Sequence, residues 1–337
     1  MKILVTGGAG FIGSNFVHYV LREHSNYEIA VLDKLTYAGR KENLQDIWDE
    51  ITFLKGDITK KEDAEKAAKN CDCIVNFAAE THVDRSILEA GTFVLTDVLG
   101  VYNLLETVRE FNISKFVHIS TDEVYGHILK GSFKEADKLN PRNPYSASKA
   151  GAELLCRAYF ETYGSQVIIT RSSNNYGPYQ HPEKLIPKTL IYALLGKSIP
   201  VYGKGENVRD WLYVEDNCEA IDLVLHNGKS GEAYNIAAEQ ELKNIQVVKT
   251  ILKLTGKPES LMRFVQDRPG HDVRYSLNTE KIQELGWKPK TKFKEGIRKT
   301  SEWYAQNVGW WKPIIEKEQT DFHEKYSWRI KTEANFK

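Results

Sequence analysis

A chain of 337 residues with 41% hydrophobic and 27% charged side chains can bury one large core or two closely joined ones, and this composition excludes a low-complexity or disordered protein. Forty-six basic residues against 46 acidic ones give zero formal charge, which argues against a general nucleic-acid binder or a protein held on anionic lipid by charge. Four cysteines are too few and too scattered for a disulfide framework, and no apolar run reaches the length of a signal peptide or membrane span, so a reducing cytoplasm is expected.

Short β-branched runs at 3–5, 29–32, 53–54, 74–77, 116–119 and 167–169 alternate with stretches of helical periodicity. This predicts an α/β protein with a Rossmann-type, doubly wound parallel sheet, its two longest helices near 92–110 and 145–163. The second half is punctuated by prolines and predicts a smaller mixed α/β domain. The expected division is a dinucleotide-binding domain over 1–172, borrowing about 210–238, and a substrate domain over 173–337 with interleaved segments. Residues after about 305 carry aromatics and charges without clear period, and no structure is assigned to them. Cys71 and Cys73 are expected to be small apolar residues at a strand start, not metal ligands; no metal site is predicted from the nine histidines.

Gly7, Gly10 and Gly13 follow the first strand and open a helix. Gly7 permits a sharp turn, Gly10 lets the backbone approach a pyrophosphate, and Gly13 lets the helix pack on the strand with its N-terminus toward the phosphates. The second strand ends in Asp33, placed to hydrogen-bond a ribose hydroxyl and to repel a 2′-phosphate. NAD is therefore favoured over NADP, although Lys34 and Arg40 leave the second open. Asp57 and Ile58 at the third strand end suit an adenine edge or a plain turn. Ala78 and Ala79 after the fourth strand allow a flat cofactor to lie on the backbone.

Tyr145 and Lys149 sit four apart at the start of the 145–163 helix and share one face. A neighbouring ammonium and a positive nicotinamide ring would lower the tyrosine's pKa from its usual ~10 and make it a base for a substrate hydroxyl. Glycine fingerprint and tyrosine-lysine pair together resemble the extended short-chain dehydrogenase/reductase family. At the fifth strand end, Asp122 and Glu123 stand where that family's epimerases typically carry small hydroxyl residues. Elimination of water next to a hydride-transfer site needs one acid and one base, provided the strand ends near Thr121 so that both carboxyls turn inward.

The blocks Asn76 to Ser86, Ser120 to Gly126, Arg171 to Gln180, Glu183 to Pro187, Arg209 to Val214 and Asp267 to Asp272 look like the nucleotide-sugar dehydratase branch of this family, over about residues 1 to 300. That resemblance implies dehydration of dTDP-glucose to its 4-keto-6-deoxy form with bound NAD, in a homodimer whose two long helices form a four-helix interface. It places Gly7, Gly10, Phe11, Ile12 and Gly13 at the pyrophosphate, Asp33, Lys34, Leu35 and Thr36 at the adenosine ribose, and Asp57 and Ile58 at the adenine. Ala78, Ala79, Glu80, Thr81, Thr96, Tyr145, Lys149 and Asn175 complete the NAD site. For the sugar nucleotide it implies His82, Thr121, Asn174, Lys184, Leu185, Pro200, Val201, Tyr202, Arg209, Asn244, Asp267, Arg268 and His271. Catalysis falls to Thr121, Asp122, Glu123, Tyr145 and Lys149. A UDP- or CDP-sugar substrate, an epimerase and a non-catalytic dinucleotide-binding scaffold stand as alternatives, since thymine and uracil differ by one methyl worth only ~1 kcal/mol.

Overall fold

In β1 (Lys2–Thr6) the side chains of Ile3 and Val5 face one side of a sheet and Leu4 the other, and all three are fully buried, so this strand is covered on both faces. The computed structural model describes residues 1–267 and 271–317. Around β1 lie β2 (Glu28–Asp33), β3 (Ile51–Lys55), β4 (Cys73–Asn76), β5 (Lys115–Thr121) and β6 (Val167–Ser172), all parallel in the order 3-2-1-4-5-6. The second half supplies β7 (Asn174–Tyr176), β8 (Ile199–Tyr202), β9 (Val208–Tyr213), β10 (Ala233–Ile236), β11 (Glu241–Lys243) and β12 (Met262–Val265). β10 returns to the large sheet as a seventh strand, parallel to β6. β7 and β11 flank β9 in a three-stranded sheet, and β8 pairs with β12 alone.

Each face of the large sheet has its own helices. Phe16, Val17 and Val20 of Phe11–Glu23 and Ile221 and Val224 of Val214–Asn227 cover Ile3 and Val5. On the other face, Ala64 of Lys61–Ala68, Leu104 and Leu105 of Gly100–Glu110, and Ala152 and Cys156 of Pro144–Tyr163 cover Leu4, Ile74 and Phe116. All crossovers therefore leave the carboxyl ends of the strands facing one side, where ligands of such sheets collect.

Three local outcomes refine the sequence reading. The helix expected over 92–110 runs as Ala90–Phe93, Val94–Leu99 and Gly100–Glu110, and its middle turn is widened to π geometry, a feature associated with functional positions. Residues 308–317, to which the sequence assigns no structure, are helical, because Trp311 and Ile314 fall on one face and are buried. The Trp311 indole donates to Tyr304 O at 2.8 Å and the Trp310 indole to Asn43 Oδ1 at 2.8 Å, which ties this helix to the body. The tail from 318 onward lies outside the described residues. Cys73 opens β4, and burial pushes the Cys71 and Cys73 thiols up to about 11 and about 12. Among the described residues no helix is long and apolar enough to cross a membrane.

Candidate active site

A cleft crosses the carboxyl ends of β1, β2, β4, β5 and β6. At its first corner Gly7 has φ +68°, and a Cβ there would lie 2.5 Å from Ala78 N. A Cβ at Gly13 would lie 2.4 Å from Gly7 O, so the helix Phe11–Glu23 starts directly against the turn only because that side chain is missing. The turn leads the helix N-terminus to the cleft, where Phe11, Ile12 and Gly13 line it and the first helical N–H groups have no intrahelical acceptor, the arrangement that binds a pyrophosphate. The carboxylate of Asp33 accepts from Ala9 N at 2.9 Å and Leu35 N at 2.8 Å. Burial raises its pKa and these two donors oppose that. Gly39 closes over it: an added Cβ would sit 2.5 Å from Asp33 Oδ1.

Both basic residues that left a 2′-phosphate open have carboxylate partners. Lys34 Nζ lies 2.7 Å from Asp57 Oδ2, and Arg40 pairs with Glu42 at 3.2 Å while its guanidinium lies over the Trp310 ring. Asp57 also accepts from Thr59 N at 3.0 Å; burial pushes its carboxyl up, but Lys34 and Thr59 outweigh that and hold it below the usual range. Ile58 is buried and fixed by Gly100, whose Cβ would come within 2.5 Å of Ile58 Cδ1.

The reacting end is built where β5 stops. Thr121 Oγ1 accepts from Glu123 N at 3.3 Å, capping a tight helical turn, Asp122–Tyr125, so the strand ends at the residue that the elimination chemistry requires. The far end of this turn is pinned by Tyr125, whose hydroxyl donates to Asn235 Oδ1 at 2.9 Å and accepts from Arg171, itself paired with Glu153 at 2.6 Å. Opposite, Asn143 caps the helix Pro144–Tyr163 through Ser146 N at 2.9 Å, with Pro144 in the first turn, and the same Asn143 side chain donates to Glu123 Oε2 at 3.3 Å. The cap that positions Tyr145 thus also holds Glu123.

Four ionisable groups then share a small volume. Asp122 is 4% exposed, and burial, then the neighbouring Glu123 carboxylate, push its pKa up to about 8. Thr121 Oγ1 donates to its Oδ1 at 3.2 Å, while Oδ2 is buried without a hydrogen-bond partner among the described residues. Tyr145 is raised well above 10 by burial, then by Glu123 and Asp97, with Thr121 opposing. This differs from the lowering expected from Lys149. The reason is local: Lys149 Nζ donates to Ile119 O at 2.6 Å, and burial lowers the lysine's own pKa. The protein alone keeps Tyr145 protonated, so phenolate requires a further positive charge over the cleft.

The cleft gathers most of the expected residues: Gly7, Gly10, Phe11, Ile12, Gly13, Asp33, Lys34, Thr36, Asp57, Ile58, Ala78, Ala79, Glu80, Thr81, Thr96, Thr121, Asp122, Glu123, Tyr145, Lys149, Asn174, Asn175 and Lys184. Among the described residues the buried Oδ1 atoms of Asn174 and Asn175 have no hydrogen-bond partner, which suits a polar ligand. His82, Leu35, Leu185, Arg209, Pro200, Val201, Tyr202, Asn244, Asp267 and His271 do not line it. His82 caps Val83–Leu88, accepting from Arg85 N at 3.3 Å, and burial, then Lys184, lower its pKa to about 4. Leu185 starts the helix Leu185–Leu194. Arg209 is buried, donating to Val208 O and Asp272 O and lying over the Tyr275 ring. Tyr202 and His271 meet edge to face at 6.4 Å, and His271 Nδ1 lies 2.6 Å from Asp267 Oδ1, in a separate strip along β8 and β12. Arg268 lies outside the described residues.

Two carboxylates were missed. Asp97, in the widened turn, accepts from Ser148 Oγ at 2.6 Å and Glu80 N at 2.9 Å, and burial pushes it up to about 6. Its signal was an acid at an inward position of an apolar helix. Glu183 gathers Tyr37 OH at 3.1 Å, Arg85 at 3.5 Å and His82 at 3.5 Å, tying the adenosine-side loop to the far wall. It stands in the block Glu183 to Pro187, beside the two residues singled out there.

The model of the family described as GDP-mannose 4,6 dehydratase matches residues 4–300. The low-salt glycan biosynthesis protein Agl12 of Haloferax volcanii is 51% identical over 306 residues, 90% of this chain and 98% of that protein. A dTDP-glucose 4,6-dehydratase of Streptomyces niveus is 49% identical over 93% of this chain and 96% of its own. A solved dTDP-glucose 4,6-dehydratase of Streptomyces venezuelae, with NAD bound, superposes with a TM-score of 0.91 at 47% identity, covering 93% of this chain and all of that one. A glycine-cradled cleft and an inward-turned carboxyl pair, on a chain matched over nearly its whole sheet and second half, leave one assignment: the chain belongs to the GDP-mannose 4,6-dehydratase family.

Proposed function

We propose that this chain dehydrates dTDP-glucose to dTDP-4-keto-6-deoxyglucose. NAD, held by the Gly7 to Gly13 turn and Asp33, accepts a hydride from C4 of the sugar and gives it back at C6, so each turnover is redox-neutral. Tyr145 removes the C4 hydroxyl proton as the ketone forms, and Lys149 and Thr121 hold the tyrosine in line. The ketone acidifies the C5 hydrogen, which Glu123 removes. Asp122 gives its proton to the departing C6 hydroxyl, so one water leaves. Glu123 then returns its proton to C5; Tyr145 releases the C4 proton to solvent and Asp122 takes one up, so the enzyme returns to its starting state with no net proton consumed.

One observation carries this reading: of two adjacent carboxyls beside Tyr145, the buried one is held protonated near neutrality and the other is not fully buried. A dehydratase needs that asymmetry and an epimerase does not. The strip formed by Pro200, Val201, Tyr202, Asn244, Asp267 and His271, with Arg209 beside it, is assigned to the base and diphosphate of the nucleotide. Leu95, Leu99, Tyr102, Leu154 and Tyr163 remain 39–61% exposed on the two long helices, an apolar surface suited to a second copy in a homodimer. The compartment assigned is the reducing cytoplasm, where the four buried free cysteines stay thiols.

The test is incubation with dTDP-, UDP- and CDP-glucose, followed by the alkaline absorbance of a 4-keto product. Turnover of dTDP-glucose with fastest rate is expected. A galactose nucleotide without loss of water would establish the epimerase instead.

A further inference from the structure

Away from the cleft, at the opposite end of the sheet, three side chains from two helices converge. His24 follows the helix Phe11–Glu23, and Asp222 and His226 lie one turn apart near the end of Val214–Asn227. One potential ligand atom from each lies within 4.8 Å of the other two. His24 Nε2 is 3.0 Å from both Asp222 oxygens, and the His226 ring completes the cluster. A tetrahedral ion with bonds of ~2.1 Å sets its ligand atoms roughly 3.4 Å apart, so small rotations of these side chains would close the set.

The surroundings suit a cation. The two imidazoles stack with centroids 5.2 Å apart beside one carboxylate, which sets two neutral nitrogen donors and one anionic oxygen around a common point. The nearby Lys115 ammonium donates to the carbonyls of Leu225 and His226, at 2.6 and 3.4 Å, and does not neutralise Asp222. His226 Nδ1 is 2.7 Å from Asp222 O, a contact that holds the ring if Nδ1 carries the proton and leaves Nε2 with a lone pair. Nε2 meets the Tyr27 hydroxyl at 2.8 Å, and Tyr27 in turn stacks on His24 at 4.4 Å. The side chains of His24, Asp222 and His226 are 24%, 13% and 30% exposed, open enough for an ion to enter with a water as further ligand.

We propose that His24, Asp222 and His226 form a binding site for a divalent transition metal of the zinc type, joining the ends of two helices that pack on the same face of the sheet. The two-histidine, one-carboxylate set suits zinc among the borderline ions, and the ion's role is to fasten helices, since it stands away from the reacting end.

The test uses the untagged full chain and zinc chloride. Titration calorimetry should show one zinc per chain, and zinc should raise the unfolding temperature relative to a chelator-treated sample. His24→Ala and His226→Ala should each weaken zinc binding at least about tenfold and abolish the thermal shift, with turnover unchanged. His18→Ala is the control: His18 meets Asp46 at 2.9 Å and Ser14 O at 2.7 Å, outside the cluster, and its loss should leave zinc binding as it was. Should either cluster variant fold poorly, cobalt added to the wild-type chain gives an independent reading, through an absorption intensity above that of the six-coordinate aqueous ion. Absence of stoichiometric zinc binding, binding that survives both histidine substitutions, or cobalt with only the aqueous spectrum would overturn the assignment.

Discussion

Asp122→Asn separates the acid from its scaffold, because the amide keeps the shape of the neutral carboxyl and cannot ionise. In an unfolded chain this carboxyl titrates near 3.8, and in the folded one at about 8. The folded state therefore holds a proton that the unfolded state has lost between these values, and the stability that Asp122 contributes is present below about pH 4 and lost as pH rises through about 8. About four units at ~1.36 kcal/mol each set an upper bound on the order of 5 kcal/mol, and relaxation around the charge would reduce it to a few kcal/mol. The wild type should lose stability relative to Asp122→Asn between pH 5 and pH 8, and the two curves should run parallel above about pH 9. Urea unfolding at unit steps of pH measures the difference, which belongs to the coupled Asp122–Glu123 pair, with titrating groups away from that pair cancelling between the two proteins. In the same range, water loss by the wild type should fall as pH rises through about 8, while the variant should be slower by ~10²- to 10⁴-fold at neutrality. Stability curves that stay parallel from pH 5 to 9 would refute a buried, protonated Asp122.

Other outcomes follow from particular contacts. Tyr145→Phe should slow the first oxidation itself, whereas Glu123→Gln should accumulate reduced nicotinamide and the 4-ketoglucose nucleotide; single-turnover absorbance separates the two. Gly13→Ala drives a methyl to 2.4 Å from Gly7 O and should cost about 1–3 kcal/mol of stability together with a clear loss of NAD affinity, read by denaturant unfolding and titration. Asp97→Asn removes a carboxylate that raises the pKa of buried Lys149, so the lysine should lose its proton at lower pH and the basic limb of the oxidation-rate profile should move down. Leu95→Glu combined with Leu154→Glu should leave a monomer by light scattering, if the exposed apolar strip is where two copies meet.

What the sequence revealed and what it hid divide by the distance over which each interaction acts. Six strands of the sheet, the Gly7 to Gly13 turn and the tyrosine helix are set by neighbours within a few residues, and their periodicity and caps are visible in one dimension. The end of β5 at Thr121 belongs with them, since Thr121 caps the next turn from two residues away. Glu183 does not: Tyr37 is 146 positions from it and Arg85 is 98, so nothing near it marks it as a meeting point. His24 and Asp222 are 198 apart for the same reason. The widened turn at Val94–Leu99 was invisible because its residues have ordinary helical propensity, and what shows its purpose is the placement of Asp97 against Ser148 and Glu80.

The carboxyl pair shows the boundary most sharply. Asp122 and Glu123 are adjacent, and spacing alone assigns neither as acid or base; the division came from what an elimination requires. The fold then gives them different surroundings. Asp122 is buried in the cleft wall with one oxygen lacking a hydrogen-bond partner among the described residues, while Glu123 reaches the Asn143 amide at the mouth of the tyrosine helix. In a low-dielectric setting two neighbouring carboxylates cannot both ionise cheaply, so whichever is more deeply buried keeps the proton. The single residue step between them, turned by the Thr121 cap, decides which that is. A substitution that removed this cap without touching either carboxyl, such as Thr121→Val, should therefore loosen the division of labour itself: the turn Asp122–Tyr125 would lose its first hydrogen bond, Asp122 its Oδ1 donor, and water loss should slow while both acids remain in the chain.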